Sequence, residues 1–375
     1  MMKPKIWLSS PHLTGEEQKY LKEAFDANWI APLGPNVNGF EEEICKYTSA
    51  ASCSALSSGT AAIHLALILL GIEEGDEVLC SSFTFSATVN PIRYQKAIPI
   101  FIDSEMDTWN MSPEILEEAI KDRIANNKKP KAILIVHLYG MPSKMDEIMA
   151  ISKKYTIPVI EDAAEAIGAT YKDKAMGTFG ELGIFSFNGN KIITTSGGGA
   201  LVSNNPEHCQ KATFLATQAR DIAPHYQHTH IGYNYRMSNI VAGIGRGQLE
   251  VLDDRVEARR QNFEFYKREL AEVKVISFVE EPNGFYANRW LTTILTDSFE
   301  TREKIRLALE KENIETRPLW KPMHLQPIFN MYPMYSDGTS DDLFQKGLCL
   351  PSSSNLTKED LKRIVMHIKQ VLEFD

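Results

Sequence analysis

The sequence lacks a hydrophobic run long enough to cross a membrane. Its apolar stretches, such as residues 66–72, fall far short of the roughly 20 residues that a membrane-spanning helix needs. No apolar segment of the kind found in secretion signals follows Met1, Met2 and Lys3. These absences predict a cytoplasmic protein that does not bind a membrane.

Cysteine is also scarce. The five cysteines are scattered, odd in number and without CxxC spacing, which argues against a disulfide framework and a zinc site. Three histidines share one short segment with no acidic or cysteine ligand nearby, so a loop is a better interpretation than a metal site. We therefore expect no metal. The residues in question are Cys45, Cys53, Cys80, Cys209, Cys349, His225, His228 and His230.

Positive charge is in deficit. Lysine and arginine number 40 against 49 aspartates and glutamates, which gives a net charge of −9. A large positive field for nucleic acid is therefore not expected, and an anionic ligand would need local cations or backbone N–H groups. The length of 375 residues and the 43% apolar content indicate a folded protein of about two domains.

The middle of the chain alternates short β-branched runs with longer amphipathic segments. Between residues 53 and 203 this alternation predicts strand and helix units around a largely parallel sheet, with helices on both faces. The predicted strands cover residues 77–80, 98–102, 132–137 and 159–162, and the predicted helices cover residues 60–70, 112–121 and 145–155.

A different pattern begins at residue 239. Residues 239–270 are predicted to form one long helix that bridges two lobes. We expect a large domain over residues 1–250 and a smaller α+β domain over residues 251–375. In the smaller domain the predicted strands cover residues 273–278 and 290–295, and the predicted helices cover residues 301–311 and 358–372.

Two glycine-rich segments fail as nucleotide-binding loops. Lys191 follows Asn190 and precedes β-branched residues, unlike the Gly-Lys-Ser/Thr of a P-loop. Residues 243–247 (GIGRG) do not match G-x-G-x-x-G and follow no predicted strand. We interpret these glycines as positions where a helix packs closely against a neighbour.

Four features gain meaning when they are combined. Ser57-Ser58-Gly59-Thr60 precedes the helical AIHLALILL and would either cap that helix or hold a phosphate at its N-terminus. Phe85 follows a strand at the sheet edge where α/β proteins bind ligands, and it is either a core residue or a face for a planar ring. Asp162 ends another strand, where it either caps a helix or faces a cation.

The fourth feature is Lys191, a lone charge in FSFNGNKIITTSGGGAL. A phosphate-binding helix N-terminus, an aromatic face, a carboxylate and a lysine are together the groups that a site for pyridoxal phosphate needs. We expect neutral surroundings for this lysine, because a nearby carboxylate would hold the ammonium form and slow imine formation. We interpret the glycines at residues 197–199 as positions where the absence of a side chain leaves room for a bulky ligand.

On these residues the chain resembles the DegT-type sugar-nucleotide aminotransferases, which are pyridoxal-phosphate enzymes of fold type I. The resemblance extends over nearly the whole chain, through NWIAPLGP, SSGTAAIHLAL, EDAAEAIGA, FSFNGNK, GYNYRMS and KPMHLQPIF. It implies a large domain with a mainly parallel sheet flanked by helices, followed by a smaller C-terminal α+β domain.

The resemblance also implies roles for individual residues. Lys191 would form the Schiff base with the cofactor and act as the catalytic acid and base. Asp162 would hold the pyridine nitrogen, and Phe85 would stack on the ring. Glu165 occupies a position near the cofactor's phenolic oxygen where many relatives carry glutamine, so this carboxylate departs from the common pattern.

The implied phosphate contacts come from two subunits. Gly59, Thr60 and Ser186 occupy phosphate-binding positions, and Asn234 matches an asparagine that reaches the phosphate of the neighbouring subunit. The resemblance therefore implies a homodimer with shared active sites.

Within the family, FSFNGNKIITTSGGG and NWIAPLGPN look most like enzymes that aminate C4 of UDP-linked 4-keto-6-deoxy-N-acetylhexosamines, as in bacillosamine-type pathways. L-Glutamate would be the donor and 2-oxoglutarate the co-product. The alternative substrate is GDP-4-keto-6-deoxymannose, which gives perosamine. Candidate substrate-pocket residues, each of which could instead be a packing residue or lie elsewhere, are Trp29, Arg236, Lys321 and His324.

Two other functions are alternatives to transamination. Some relatives are sugar dehydratases with histidine in place of the Schiff-base lysine, and Lys191 argues against that function. A regulatory protein that keeps the fold without the chemistry would not need an intact lysine, aspartate and phosphate-binding helix N-terminus.

Overall fold

An eight-stranded mixed sheet dominates the computed structural model, which describes residues 4–373. The strand order is β1-β9-β8-β5-β4-β2-β3-β14, and every pair from β8 to β14 is parallel, whereas β9 is antiparallel to β1 and β8. The strands of this sheet are β1 (Ser52–Leu56), β2 (Glu77–Ser81), β3 (Ile98–Ile102), β4 (Ala132–Val136), β5 (Val159–Asp162), β8 (Leu182–Ser186), β9 (Gly199–Ser203) and β14 (Met334–Tyr335).

The other strands form two smaller sheets. A four-stranded sheet has the order β10-β12-β15-β13, and a three-stranded sheet has the order β11-β6-β7. Their bounds are β6 (Thr170–Tyr171), β7 (Lys174–Ala175), β10 (Ile276–Phe278), β11 (Phe285–Tyr286), β12 (Thr292–Thr296), β13 (Arg317–Pro318) and β15 (Gly347–Leu350).

Helices surround these sheets. They are α1 (Glu17–Asp26), α2 (Pro35–Thr48), α3 (Gly59–Leu69), α4 (Ser86–Tyr94), α5 (Pro113–Ala125), α6 (Met145–Tyr155), α7 (Pro206–Ala216), α8 (Asn239–Leu249), α9 (Leu252–Glu269), α10 (Phe299–Lys311), α11 (Thr339–Lys346) and α12 (Lys358–Glu373). Within residues 4–373, no helix is both long and apolar enough to cross a membrane.

The four strands predicted in the first half of the chain are confirmed, with ends shifted by a residue in β2 and β4. Their continuous apolar character follows from burial on both faces. In β2, for example, Leu79 packs into one hydrophobic cluster, whereas Val78 and Cys80 pack into the other. The predicted fold class, a mainly parallel sheet flanked by helices, is therefore confirmed.

The single long helix predicted over residues 239–270 is wrong. The chain turns at Glu250 and Val251, between α8 and α9. Helix α8 packs against α1 and α2, whereas α9 packs against α12 and β12, so one straight helix could not serve both surfaces. The interpretation of the α8 glycines is confirmed, because a Cβ on Gly247 would lie 2.7 Å from the backbone nitrogen of Glu17.

The predicted strands and helices after residue 272 are found as β10, β12, α10 and α12, with shifted ends. Contacts cross the expected domain boundary at residue 250: Ile6 pairs with Ile314, β14 joins the large sheet, and β11 pairs with β6. The boundary itself stays a prediction.

Candidate active site

A cavity of about 340 Å³ opens at the carboxyl ends of β5 and β8, next to the N-terminus of α3. Parallel strands place their carboxyl ends at one edge of a sheet, so residues that follow different strands meet there. The structure brings the following predicted residues together in the cavity lining: Gly59, Thr60, Phe85, Asp162, Glu165, Ser186 and Lys191.

At one end of the cavity lies the start of α3. Ser58 caps the helix, since its Oγ accepts a hydrogen bond of 3.0 Å from the Ala61 N–H. The N–H groups of Gly59 and Thr60 find no acceptor within the described chain. Capping and anion binding are therefore compatible here, because the cap uses one N–H group and leaves two for a ligand.

The glycines of residues 197–199 lie in two different surroundings. Gly197 and Gly198 line the cavity. Gly199 lies directly against the α3 terminus, and a Cβ there would be 2.4 Å from the Gly59 nitrogen. The missing Cβ of Gly199 therefore allows β9 to approach α3, whereas a Cβ on Gly198 would meet Thr195 and Met237. That these glycines make room for a ligand stays a prediction.

Asp162 lies at the end of β5 with its carboxylate buried. It accepts hydrogen bonds from Thr88 Oγ1 at 2.7 Å and from the Ala164 N–H at 3.2 Å. Burial raises the pKa of Asp162, and these hydrogen bonds and Lys191 only partly oppose that rise. A cationic partner such as a protonated ring nitrogen would stabilise the ionised form of this buried carboxylate.

The neighbouring Glu161 serves another purpose. Alternate residues of a strand face opposite sides of the sheet. Glu161 accordingly contacts His137 Nε2 at 3.0 Å and accepts hydrogen bonds from the Gly177 and Phe179 N–H groups. Only the second carboxylate of the pair reaches the cavity.

Lys191 does not have the neutral surroundings expected from its sequence. Its Nζ lies 3.3 Å from Glu165 Oε1, so that expectation is wrong. The two residues are 26 positions apart, but β5 and β8 are adjacent in the sheet and bring together the segments that follow them. Burial raises the pKa of Glu165, with Lys191 as the largest opposing influence.

Aromatic side chains form the rest of the wall. Phe85 is 53% exposed, and its ring centre lies 5.2 Å from that of Trp320. The buried Tyr139 stacks between Trp290 and Trp320, at 6.4 and 6.0 Å. Phe85 therefore presents a face to the cavity instead of joining the core.

Neither tryptophan was predicted from the sequence as a site residue, and the same holds for Asn188 and Asn190 of the cavity lining. Trp290 donates from Nε1 to the Asn190 carbonyl at 2.8 Å, across 100 positions of sequence. The buried Arg259 also donates to the carbonyl of Trp290. No local pattern indicates such contacts, because they depend on how the C-terminal part of the chain packs against the large sheet.

Two of the candidate substrate residues are engaged elsewhere. Arg236 forms a bidentate ion pair with Glu41, and it does not line the cavity. His324 bridges Ser82 Oγ at 2.7 Å and Asp341 Oδ1 at 2.9 Å. Neither residue lines the cavity of its own chain, and their substrate-pocket roles stay predictions.

Trp29, Lys321 and Asn234 also lie outside the cavity lining of the same chain. Trp29 is 39% exposed, and its carbonyl accepts a hydrogen bond from Asn239. Asn234 is exposed and pairs through its backbone with Thr217. Among residues 4–373, no group of histidine, cysteine and acidic side chains is arranged to hold a metal ion.

Comparison with known proteins identifies the kind of enzyme that this cavity belongs to. The model of the DegT/DnrJ/EryC1/StrS aminotransferase family matches residues 11–369. The chain belongs to this family. It is therefore a pyridoxal-phosphate-dependent sugar aminotransferase, and the resemblance drawn from the sequence motifs is confirmed at the level of family, fold, cofactor and reaction.

Individual members of the DegT/DnrJ/EryC1/StrS family are similar over almost their whole length. EpsN of Bacillus subtilis (strain 168), named as a pyridoxal phosphate-dependent aminotransferase, is 54% identical, covering 99% of this chain and 98% of EpsN. GDP-perosamine synthase of Escherichia coli O157:H7 is 39% identical over 96% of both chains. Spr1654 of Streptococcus pneumoniae, named as a sugar aminotransferase and solved in its PLP-form, superposes with a TM-score of 0.91 at 25% identity over 99% of both chains.

The cavity fits the family's cofactor. The free N–H groups of Gly59 and Thr60 suit a phosphate, the exposed face of Phe85 suits a planar ring, and the buried Asp162 suits a protonated ring nitrogen. Lys191 supplies an amine on the cavity wall that can bond to an aldehyde.

Proposed function

We propose that this enzyme transfers the amino group of L-glutamate to C4 of a nucleotide-linked 4-keto-6-deoxy sugar. One observation carries the proposal: Lys191, Asp162 and the unpaired N–H groups of α3 share one cavity in a member of a sugar aminotransferase family. Each of these groups matches one part of pyridoxal phosphate.

Each of the cavity residues has its own role in the proposed reaction. Gly59 and Thr60 would hold the phosphate, and Asp162 would keep the ring nitrogen protonated. When bound, the cofactor supplies an aldehyde that carries the amino group and a ring that accepts electrons. Lys191 would anchor the cofactor and then, as a free amine, take a proton from the α-carbon of glutamate at Nζ and later return one.

A double-displacement mechanism follows from using one amino carrier for two substrates. We expect parallel lines in double-reciprocal plots of initial rate when glutamate and sugar nucleotide are varied. Intersecting lines would contradict the proposal.

Two sugar nucleotides are candidates. The segments FSFNGNKIITTSGGG and NWIAPLGPN favour UDP-linked 4-keto-6-deoxy-N-acetylhexosamine, as in bacillosamine-type pathways. The 39% identity to a GDP-perosamine synthase favours GDP-4-keto-6-deoxymannose. The two substrates share the reacting ketone and differ in the nucleotide base and at C2, so product analysis separates them.

A substrate panel tests this choice. The glutamate-loaded enzyme is incubated with UDP-, GDP- and dTDP-linked 4-keto-6-deoxy sugars, and products are identified by mass and NMR. Turnover of the UDP sugar alone would support the first candidate, and turnover of the GDP sugar alone would replace it with the second. Amination of none of them would overturn the proposal.

The active sites are proposed to be shared in a homodimer. Asn234 is exposed and outside the cavity of its own chain, and Ile222, Tyr226 and Ile231 of the same loop region are also exposed. Mixing inactive Lys191→Ala and Asn234→Ala chains should restore activity at about a quarter of the sites, because half of the dimers would be mixed and hold one intact site. No recovery after subunit exchange would contradict shared sites.

A further inference from the structure

Two groups that favour a positive charge surround the amine of Lys191. Its Nζ lies 3.3 Å from Glu165 Oε1 and 4.1 Å from the centre of the Trp290 ring. The Lys191 and Glu165 side chains are only 13% and 6% exposed, so water and salt screen their attraction weakly. Both the carboxylate and the aromatic face therefore stabilise the ammonium form.

The direction of the Glu165 carboxylate is fixed by the backbone. Its Oε2 accepts a hydrogen bond of 2.7 Å from the Tyr139 N–H. Tyr139 has a φ of 53°, a left-handed conformation that is uncommon for a bulky residue, and its ring is buried between two tryptophans. The surrounding packing holds this N–H in place, so Oε1 is the oxygen left to face Lys191.

A glutamine in place of Glu165 would have the opposite effect. Its single oxygen would be needed by the Tyr139 N–H, and its NH₂ group, which can only donate, would face Nζ. A donor opposite the lysine disfavours the ammonium ion and favours the free amine, which can accept a hydrogen bond. The choice of acid or amide at residue 165 thus decides which form of the lysine fits.

We propose that Glu165 holds Lys191 as an ammonium ion whenever the lysine is not bonded to the cofactor, and thereby controls when Lys191 becomes a nucleophile and a base. This inference rests on the proposed role of Lys191. To form the free amine, an N–H bond at Nζ breaks, its electron pair stays on nitrogen, and the proton moves to Glu165 Oε1. No oxidant or reductant takes part.

Other titratable groups face this pair. Asp162, itself under the influence of His137, opposes ionisation of Glu165. The Tyr139 phenol and the Cys349 thiol are electrostatically coupled to Glu165, but burial raises the pKa of both, so they stay uncharged near neutral pH. Glu165 is thus the carboxylate in direct contact with the amine, and its raised pKa makes it a better proton acceptor than an exposed glutamate.

Acylation of the cofactor-free protein tests the proposal, because acetic anhydride reacts with a free amine and not with an ammonium ion. Acetylation of Lys191 is measured by peptide mass after short pulses, with the exposed Lys22 as internal standard. At pH 7.5 we expect Lys191 to react at least about tenfold faster in Glu165→Gln than in wild type, since the variant removes the opposite charge 3.3 Å from Nζ that favours the unreactive ammonium ion.

Control variants test whether the faster acetylation of Lys191 is caused by the loss of charge and not by disturbance of the cavity. Glu165→Asp should react within about threefold of wild type because it keeps the charge. Glu181→Gln, a change of an exposed carboxylate outside the cavity, should leave the Lys191 rate unchanged. The pair Glu165→Asp and Glu165→Asn repeats the comparison at a shorter length, so the test does not depend on one variant folding.

A Lys191 rate in Glu165→Gln equal to or below that of wild type would overturn the proposal. The role of Lys191 is checked separately by borohydride reduction of the cofactor-loaded wild type and mapping of the labelled peptide. Absence of label at Lys191 would overturn the proposed function, whereas the acylation contrast would still report the protonation of the lysine.

Discussion

Two sides of the cavity differ in whether their polar groups have hydrogen-bond or ion-pair partners. We call the N-terminus of α3 the phosphate side and the surroundings of Lys191 the lysine side. On the phosphate side, the N–H groups of Gly59 and Thr60 have no acceptor in the described chain. On the lysine side, Lys191 contacts Glu165 and Trp290, and Glu165 also accepts from Tyr139. The N–H groups of the first side can bind an anion without giving up another partner, whereas in our proposal the second side must give up contacts and a proton before it can react.

This difference predicts that changes on the two sides have separable effects. Variants of Glu165 on the lysine side should alter chemistry and its pH dependence, whereas loss of Lys191 should also remove the proposed covalent anchor of the cofactor. Variants of the phosphate side should alter cofactor affinity, since their contribution is uniform along the reaction.

The largest effect is expected for Lys191→Ala, which would remove both the proposed anchor and the proposed proton carrier. Turnover should fall by about 10⁴-fold or more, since general acid and base catalysis alone contributes about 10²–10⁴. The purified wild type should be yellow and bleach with glutamate, and the variant should do neither. Lys22→Ala, an exposed change on α1, is the matched control. A variant that keeps glutamate-dependent bleaching would contradict the assignment.

Asp162→Asn should lower turnover by about 10²–10³-fold, the usual result of removing one electrostatic stabiliser from an active site. Thr88→Val tests the same group more gently, because it keeps the charge of Asp162 and removes only the hydrogen bonds that Thr88 Oγ1 makes with the carboxylate and with Thr84 Oγ1. We expect it to cost no more than about tenfold, as for a single hydrogen bond to a charged group. If the two variants lost equal activity, Asp162 would act through its position and not its charge.

On the phosphate side, pyridoxal without its phosphate should bind at least about 100-fold more weakly than pyridoxal phosphate, since two charge-assisted hydrogen bonds contribute about 3 kcal/mol or more. Titration calorimetry of the cofactor-free protein measures the ratio. Ser58→Ala should instead lower stability by about 1 kcal/mol through loss of the cap. Equal affinity for both compounds would leave the α3 terminus with a capping function only.

The smallest effect is expected for the thermal stability of Asp162→Asn. Burial raises the pKa of Asp162, so its contribution to stability is present at low pH and is lost as pH rises through the pKa of the folded state. The cofactor-free Asp162→Asn protein should therefore melt a few degrees higher than wild type at pH 7. The difference should vanish towards about pH 4, near the unfolded pKa of aspartate. A difference that grows on acidification would contradict this sign.

Glu165→Gln also tests whether the lysine side contributes to cofactor binding. If the variant also binds pyridoxal phosphate with unchanged affinity, the separation of the two sides holds. A large loss of affinity would mean that Glu165 belongs to both.

The order of the motifs by itself determined the family, and the apolar runs determined the strands of the large sheet. These features are local: a buried parallel strand needs a continuous apolar run, and a helix that begins at a ligand needs a cap and small residues. Gly59, Phe85, Asp162 and Lys191 could accordingly be placed in one site, because each follows or precedes a recognisable element at the same sheet edge.

Only the tertiary structure decided which groups surround the lysine. Glu165 meets Lys191 because β5 and β8 are neighbours, and Trp290 reaches it from 100 positions beyond Asn190. The turn between α8 and α9 and the pairing of Arg236 with Glu41 likewise depend on which surfaces pack together. Strand order and packing are properties of the whole chain, and no spacing within a segment encodes them.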